Sequence, residues 1–193
     1  MKKMITCMLF AVIATGIFAQ EQGKVRGGLD IGAAIPSKGG GGVAVNVPIG
    51  YNLQDNMTVG IRLGLAAMAK IDPLGETGSA AANVNYLATF AYYFNSGSPF
   101  APFVGGGAGM YTLAAAAVGN NYTVDVGTRF GGLLSAGAEI GKFRLVLEYN
   151  LVPSSAVTVN STGSGVQLEN DKIPNSYLGI TAGFYIGGGK WGK

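Results

Sequence analysis

The sequence predicts an all-β chain, an eight-stranded antiparallel up-and-down transmembrane β-barrel preceded by a cleavable signal peptide. Three observations predict it. Apolar residues recur at every second position over eight segments of about ten residues, which is the period of a strand. The connections between those segments alternate between short and long. The positions between the apolar ones hold Gly, Ala, Asn and Thr with few charges, so neither phase matches a soluble surface, which is usually about 25–35% charged.

The chain opens with Lys2 and Lys3, an apolar run from Met4 to Phe18, and Ala19-Gln20 ahead of a charged segment at 21–26. A basic start, a short apolar core and a small final residue describe a secretory signal peptide at 1–19, with the cut before Gln20 and Ile17 and Ala19 as the cleavage-site residues. The run is short for a retained membrane anchor, and Cys7 lies inside it rather than at its end, against a lipoprotein. That leaves 20–193 as one barrel domain without cysteine, hence without disulfide or multi-cysteine metal site. Lys2 and Lys3 are two of the thirteen basic residues, so the remainder carries eleven against ten acids, a net +1. Nucleic-acid binding has little support from so small a surplus.

In chain order, the segment 25–35 alternates weakly. Val43, Val45, Val47, Ile49, Tyr51 and Leu53 then stand against Ala44, Asn46, Pro48, Gly50 and Asn52. Met57, Val59, Ile61, Leu63, Leu65 and Ala67 repeat the pattern against Thr58, Gly60, Arg62, Gly64 and Ala66. Ala82, Val84, Tyr86, Ala88, Phe90, Tyr92 and Phe94 form a fourth segment. The fifth, 100–113, is strand-like, but glycines at 105, 106, 107 and 109 blur its phase. A weaker sixth at 130–140 precedes Phe143, Leu145, Leu147, Tyr149 and Leu151, and then Leu178, Ile180, Ala182, Phe184 and Ile186. Pro48 cannot donate to a ladder, and a closed barrel has no edge to excuse it, so a bulge or strand break is expected there.

Connections at 54–56, 95–99 and 141–142 are short; those at 37–42, 70–80, 114–127 and 153–175 are longer and rich in Gly, Ser, Asn and Asp. Membrane barrels show this asymmetry, with short periplasmic turns and long outer loops. Aromatics gather in two groups, Tyr51, Tyr92, Phe94, Phe100, Phe103, Phe143 and Trp191 toward the short turns, and Tyr111, Phe130, Tyr149 and Tyr177 toward the loops. Two groups suit two interfacial girdles. A soluble lipocalin-like barrel with the apolar phase inward is the alternative, but its outer face would then carry few charges.

The charges of the barrel strands all fall on the non-apolar phase: Arg26, Asp30, Arg62, Arg129, Glu139, Arg144 and Glu148. Facing lipid, each arginine would cost about 2–4 kcal/mol at mid-bilayer. Inside, they can pair and plug an interior that eight strands leave just wide enough for side chains; the alternative is an ion-selective pore lining. Strand direction puts Arg26, Glu139 and Arg144 near the short-turn end, Asp30, Arg62 and Glu148 near the middle, and Arg129 at the outer mouth. A two-residue turn at Gly141-Lys142 sets Glu139 opposite Arg144, which predicts an ion pair between them.

Catalytic signals are weak. There is no histidine, which removes His-based triads, general bases and metal ligands. The glycine runs at 39–42, 105–107 and 187–189 match neither the dinucleotide fingerprint nor a P-loop, since Gly189-Lys190 is followed by Trp191. No enzyme activity, cofactor or metal is expected.

The signal peptide, eight alternating segments, short turns opposite long loops and the final stretch Tyr177-Leu178-Gly179-Ile180-Thr181-Ala182-Gly183-Phe184 together resemble the small outer-membrane β-barrels typified by OmpA and OmpX. That last stretch is similar to the family's C-terminal assembly signal, although the chain continues through 187–193 instead of ending on an aromatic residue. The resemblance implies a monomer in a Gram-negative outer membrane, surrounded by lipid and engaged by the barrel-assembly machinery through its last strand. The expected role is structural or adhesive, with the outer loops meeting an extracellular ligand. A small ion-conducting porin-like channel is the runner-up; an outer-membrane lipid-modifying enzyme and a secreted ligand-binding barrel follow.

Overall fold

The computed structural model describes residues 21–71, 77–94, 100–117, 122–124, 127–159 and 172–189. The predicted signal peptide at 1–19, the connection at 95–99 and Trp191 lie outside them. In chain order the strands are β1 (Val25–Pro36), β2 (Gly40–Gln54), β3 (Met57–Ile71), β4 (Thr77–Tyr93), β5 (Phe100–Ala117), β6 (Tyr122–Val124), β7 (Gly127–Ile140), β8 (Phe143–Leu151), β9 (Ser155–Val159), β10 (Lys172–Ile173) and β11 (Tyr177–Gly187). Eight of them close into a barrel in the order β1-β11-β8-β7-β5-β4-β3-β2. Closure rests on an antiparallel ladder from Arg26↔Gly187 to Pro36↔Tyr177. With that ladder formed, no barrel strand keeps an unpaired edge, the condition for crossing lipid.

Alternation decides which way each side chain points. Ile31, Val43, Ile49, Ile61, Leu63, Leu65, Phe90, Leu145, Leu147 and Ile180 are exposed on the outside, while Asn46, Arg62, Asn85, Glu139 and Glu148 are buried within. The fifth strand resolves the same way, since Phe100 and Val104 are exposed and Ala101, Phe103 and Tyr111 are buried. Three girdle assignments therefore need correcting. Phe103, Tyr111 and Tyr177 face the lumen and are nearly inaccessible, because each lies on the inward phase of its strand. Strand ends alone do not decide which side an aromatic takes.

The connections also differ from expectation. The 37–42 loop is a tight turn: β2 begins at Gly40, Gly39 N donates to Pro36 O at 3.1 Å, and Gly39 and Gly40 have φ of 92° and 99°. Glycine adopts such angles without the Cβ clash that other residues suffer. The 70–80 segment shrinks to 72–76, because β3 and β4 extend through it. The segments 114–127 and 153–175 contain β6, β9 and β10, which pair in the order β10-β9-β6. The end of the barrel opposite the short turns thus carries a small sheet of its own. A 17-residue strand such as β4, tilted about 45° at about 3.3 Å per residue, rises roughly 40 Å. That exceeds the ~25 Å apolar band of a membrane-spanning barrel.

Pro48 produces neither a bulge nor a break. It pairs with Arg62 in a stretch of the β2–β3 ladder that keeps its register from Gly40 to Asn52, the shift coming only between Asn52 and Gln54. On the β1 side the ladder runs to Gly27↔Ile49 and resumes at Asp30↔Asn46 in the same register. The missing N–H thus costs a local lapse on one side, while the intact β3 side holds the strand in place.

The short-turn end is sealed by the two ends of the described chain. Glu21 N donates to Gly188 O at 2.6 Å and Gly188 N to Val25 O at 3.0 Å. Asn52, fully buried, donates from Nδ2 to both Glu21 O and Gly188 O at 3.1 Å and accepts from Thr58 Oγ1 at 3.0 Å.

Inward glycines make room for large neighbours. A Cβ on Gly179 would lie 2.6 Å from Glu148 Cγ, whereas one on the outward Gly27 would meet nothing within 4 Å. Gly179→Val is therefore expected to lower unfolding free energy by about 1–3 kcal/mol through overpacking. Gly27→Val should stay within about 0.5 kcal/mol of the parent. Urea unfolding of the barrel in lipid vesicles measures both.

Candidate functional site

The lumen is the only place where the described residues concentrate chemistry, and it is built in two layers. The layer nearer the short turns centres on Glu139, 1% exposed, which lies among side chains from several walls. Arg26 Nη2 donates to Glu139 Oε2 at 2.8 Å, and Tyr93 OH donates to Oε1 at 2.9 Å. Arg26 Nη1 also reaches Tyr93 OH at 3.3 Å. Both carboxylate oxygens are thereby satisfied, as a buried charge requires. The Arg26 guanidinium lies 3.6 Å from the centre of the Tyr185 ring, and the Arg144 guanidinium lies 5.0 Å from the ring centres of both Tyr185 and Phe103. Arg144 donates to the Tyr185 hydroxyl and places Nε 3.6 Å from Asp30 Oδ1.

The second layer lies farther toward the loops. Arg62 Nη1 donates to Glu148 Oε2 at 2.5 Å, and Arg62 Nη2 to Asn150 Oδ1 at 3.3 Å. Asn46 Nδ2 donates to Glu148 Oε1 at 3.3 Å, and the Tyr111 hydroxyl to Asn150 Oδ1 at 3.1 Å. Asn85 Nδ2 reaches the Tyr177 hydroxyl at 3.4 Å. Above these, Ala34, Ala44, Ala66, Met68 and Val152 join Leu87, Leu133, Tyr111 and Tyr177 in an apolar cluster inside the lumen. Arg129, opposite Tyr111 in the β5–β7 ladder, is half-buried at the loop end of β7. Between the two charged layers lies a cavity of about 60 Å³, bounded by Arg26, Asp30, Arg62, Arg144, Glu148 and Tyr185 among others.

All seven residues expected in the lumen occupy inward positions, but their pairing corrects the expectation. Glu139 and Arg144 are cross-strand partners, as the two-residue turn requires. The ion pair nevertheless joins Glu139 to Arg26, while Arg144 turns to Asp30 and Tyr185. In a barrel this narrow, a side chain meets the opposite wall as readily as its ladder neighbour, and hairpin register says nothing about the opposite wall. Asp30 accordingly belongs with the turn-side group rather than with Arg62 and Glu148. Tyr93, Tyr185, Tyr111, Tyr177 and the asparagines at 46, 85 and 150 were missed as lumen partners. Except for Tyr111, whose glycine-rich strand hid its phase, their signal was available, since each stands on the inward phase of a strand whose outward phase was already assigned.

Chemically, the site joins each of three carboxylates to an arginine and lines the remainder with phenols and amides. Groups of three or more His, Cys, Asp or Glu suited to a metal are absent among the described residues. No protein-family model matches the chain, and no characterised protein matches it in sequence. Solved structures do match in fold. The outer-membrane protein OprG from Pseudomonas aeruginosa superposes with a TM-score of 0.54 at 11% identity, over 87% of this chain and 98% of that one. The outer-membrane enzyme PagL gives 0.51 at 14% identity, over 83% and 98%. Neisserial surface protein A gives 0.50 at 16% identity, over 86% and 97%.

Three results are expected from the lumen geometry. Arg26→Ala and Glu139→Ala should each lower unfolding free energy by about 3–5 kcal/mol, the usual cost of orphaning a buried charge. In double-mutant cycles the Arg26–Glu139 coupling should exceed about 1 kcal/mol and surpass that of Glu139–Arg144; the reverse order would contradict the observed pairing. Tyr93→Phe, which deletes one hydrogen bond to the Glu139 carboxylate, should cost about 1.5–3 kcal/mol, read from the same unfolding curves. The closed ladder, the apolar exterior and the paired interior give this chain the fold of the small eight-stranded outer-membrane β-barrels.

Proposed function

We propose that the chain is an integral protein of a Gram-negative outer membrane with a structural or surface-interaction role, carried by its outer loops and the β6–β9–β10 sheet. The observation that carries this reading is the lumen itself. Among the described residues, two layers of paired charge, an apolar cluster above them and the Asn52 seal below fill the lumen around a cavity of about 60 Å³. A chain that spends its interior on packing has its outer face left for recognition, and loops held on a rigid scaffold are where binding residues concentrate. The apolar exterior supports residence in lipid as a monomer, inserted by the assembly machinery through β11.

A non-catalytic role follows from the residue inventory rather than from the fold. One of the matching structures is an outer-membrane enzyme, so the architecture admits both. The absence of histidine from the whole chain removes the commonest general base. The runner-up, a small ion-conducting pore, would use the same seven charged residues as a lining.

Planar-bilayer recording on the purified chain separates the two. The plugged reading expects no steady conductance, and reproducible channel steps would overturn it in favour of the pore. Protease treatment of intact cells tests the orientation. Cleavage is expected between 153 and 175, with the barrel strands surviving. Cleavage confined to the turns at 55–56 or 141–142 would reverse the topology.

A further inference from the structure

We infer that residues 187–189 form a strap that opens and closes over the short-turn mouth of the lumen while the barrel itself stays shut. Strand β11 leaves the wall at Gly187, the last partner of Arg26 in the closing ladder. Gly187, Gly188 and Gly189 then take φ of 82°, 85° and 85°, a run that residues with a Cβ rarely adopt. The turn carries Gly188 into the mouth, where it is buried. A Cβ built on it would lie 3.4 Å from Arg26 Cβ and 3.8 Å from Arg26 Nε. The strap therefore covers the arginine whose guanidinium holds Glu139.

The contacts that hold it are hydrogen bonds. Gly188 N donates to Val25 O at 3.0 Å, Glu21 N to Gly188 O at 2.6 Å, and Asn52 Nδ2 to Gly188 O at 3.1 Å. These bonds lie beyond the last β1–β11 pair, so the strap can let go without opening the wall. Glycine brings no side chain to bury, and it regains more backbone freedom on release than any other residue. Segments held in this way open locally, at a lower free energy than global unfolding.

Asn52 is the catch. Its Oδ1 accepts from Thr58 Oγ1 at 3.0 Å, which turns the amide so that its N–H groups meet Glu21 O and Gly188 O. One side chain from β2 thus draws together the segments that flank the barrel seam. With the strap open, water reaches the Arg26–Glu139 pair from the short-turn side. With it closed, that pair is buried again, 5% and 1% exposed. The strap is a lid for the lower charge layer alone, since Arg62 and Glu148 lie in the layer farther toward the loops.

Amide hydrogen exchange on the full chain in lipid nanodiscs reads the motion. The Glu21 and Gly188 amides should exchange at least tenfold faster than the β1 amides at 29–33. Asn52→Asp keeps the shape of the catch but turns its donors into an acceptor that faces two carbonyls. It should speed exchange at 21 and 188 by a further tenfold or more and leave 29–33 unchanged. Methylglyoxal, a small water-soluble dicarbonyl that adds to guanidinium groups, reads the access. Mapped by peptide mass spectrometry, Arg26 should be modified at least fivefold faster in Asn52→Asp than in the parent, with Arg62 unchanged. Gly188→Ala, strained at its φ of 85°, should reproduce both effects from the strap itself. Parent-like exchange and labelling in both variants would overturn the inference. So would a matching rise at 29–33, because Asn52 would then support the barrel wall rather than a strap.

Discussion

The structure depends on one constraint: in hydrocarbon, every polar group that cannot reach water must find its partner inside the molecule. For the backbone, the β1–β11 ladder meets that demand by removing the last two edges of the sheet. For the side chains, the strand period meets it by sending alternate residues to opposite faces. Neither solution works alone. An open sheet would leave a row of bare amides in lipid, and a closed sheet with shifted phase would put Arg62 or Glu148 there. Where a strand cannot satisfy the rule fully, as at Pro48, the lapse is confined to the β1 side, whose register is the same before and after it.

The narrowness of an eight-strand interior sets the next level of organisation. Side chains from facing walls share one small volume, so charge has to be balanced locally and shape has to be compensated. Glu139 takes an arginine and a phenol from other strands. Tyr185 lies close to two guanidinium groups, 3.6 Å from that of Arg26 and 5.0 Å from that of Arg144, an arrangement that keeps both cations on aromatic surface instead of bare apolar wall. Glycine at 28 and 179 leaves space where Tyr185 and Glu148 lie. The many inward glycines and alanines are thus the complement of a few large polar residues, and a composition that looks like low complexity is a packing solution.

Much of this was legible in the sequence, and the reasons are physical. Period-two alternation is strong in β2, β3, β8 and β11 because one face meets lipid, which tolerates only apolar residues. Strand number, turn positions, lumenal charges and the fold class follow from it. The phase of β5 was blurred because Gly105, Gly106, Gly107 and Gly109 carry no side chain to signal a face. Phe103 and Tyr111 were misplaced because that same strand showed no phase, and Tyr177 because position along a strand was allowed to outweigh phase. The Arg26–Glu139 pair was out of reach, since ladder register describes neighbours along the sheet and not partners across the lumen. The outer sheet escaped notice because β6, β9 and β10 are short and lie in polar surroundings that read as loop.

The central claim is that one phase of every strand meets lipid while the other is sealed from water as well as from lipid. Thiol accessibility along β8 tests it most directly, because the only native cysteine is Cys7 in the predicted signal peptide. Single cysteines placed in turn at 143–151 would be challenged, in bilayers, with a lipid-soluble maleimide and with a small water-soluble methanethiosulfonate. The account predicts that odd positions react with the lipid-soluble reagent alone and that 146, 148 and 150 react with neither. Reaction of those inward positions with the water-soluble reagent would contradict it, because the lumen would then be an open aqueous path.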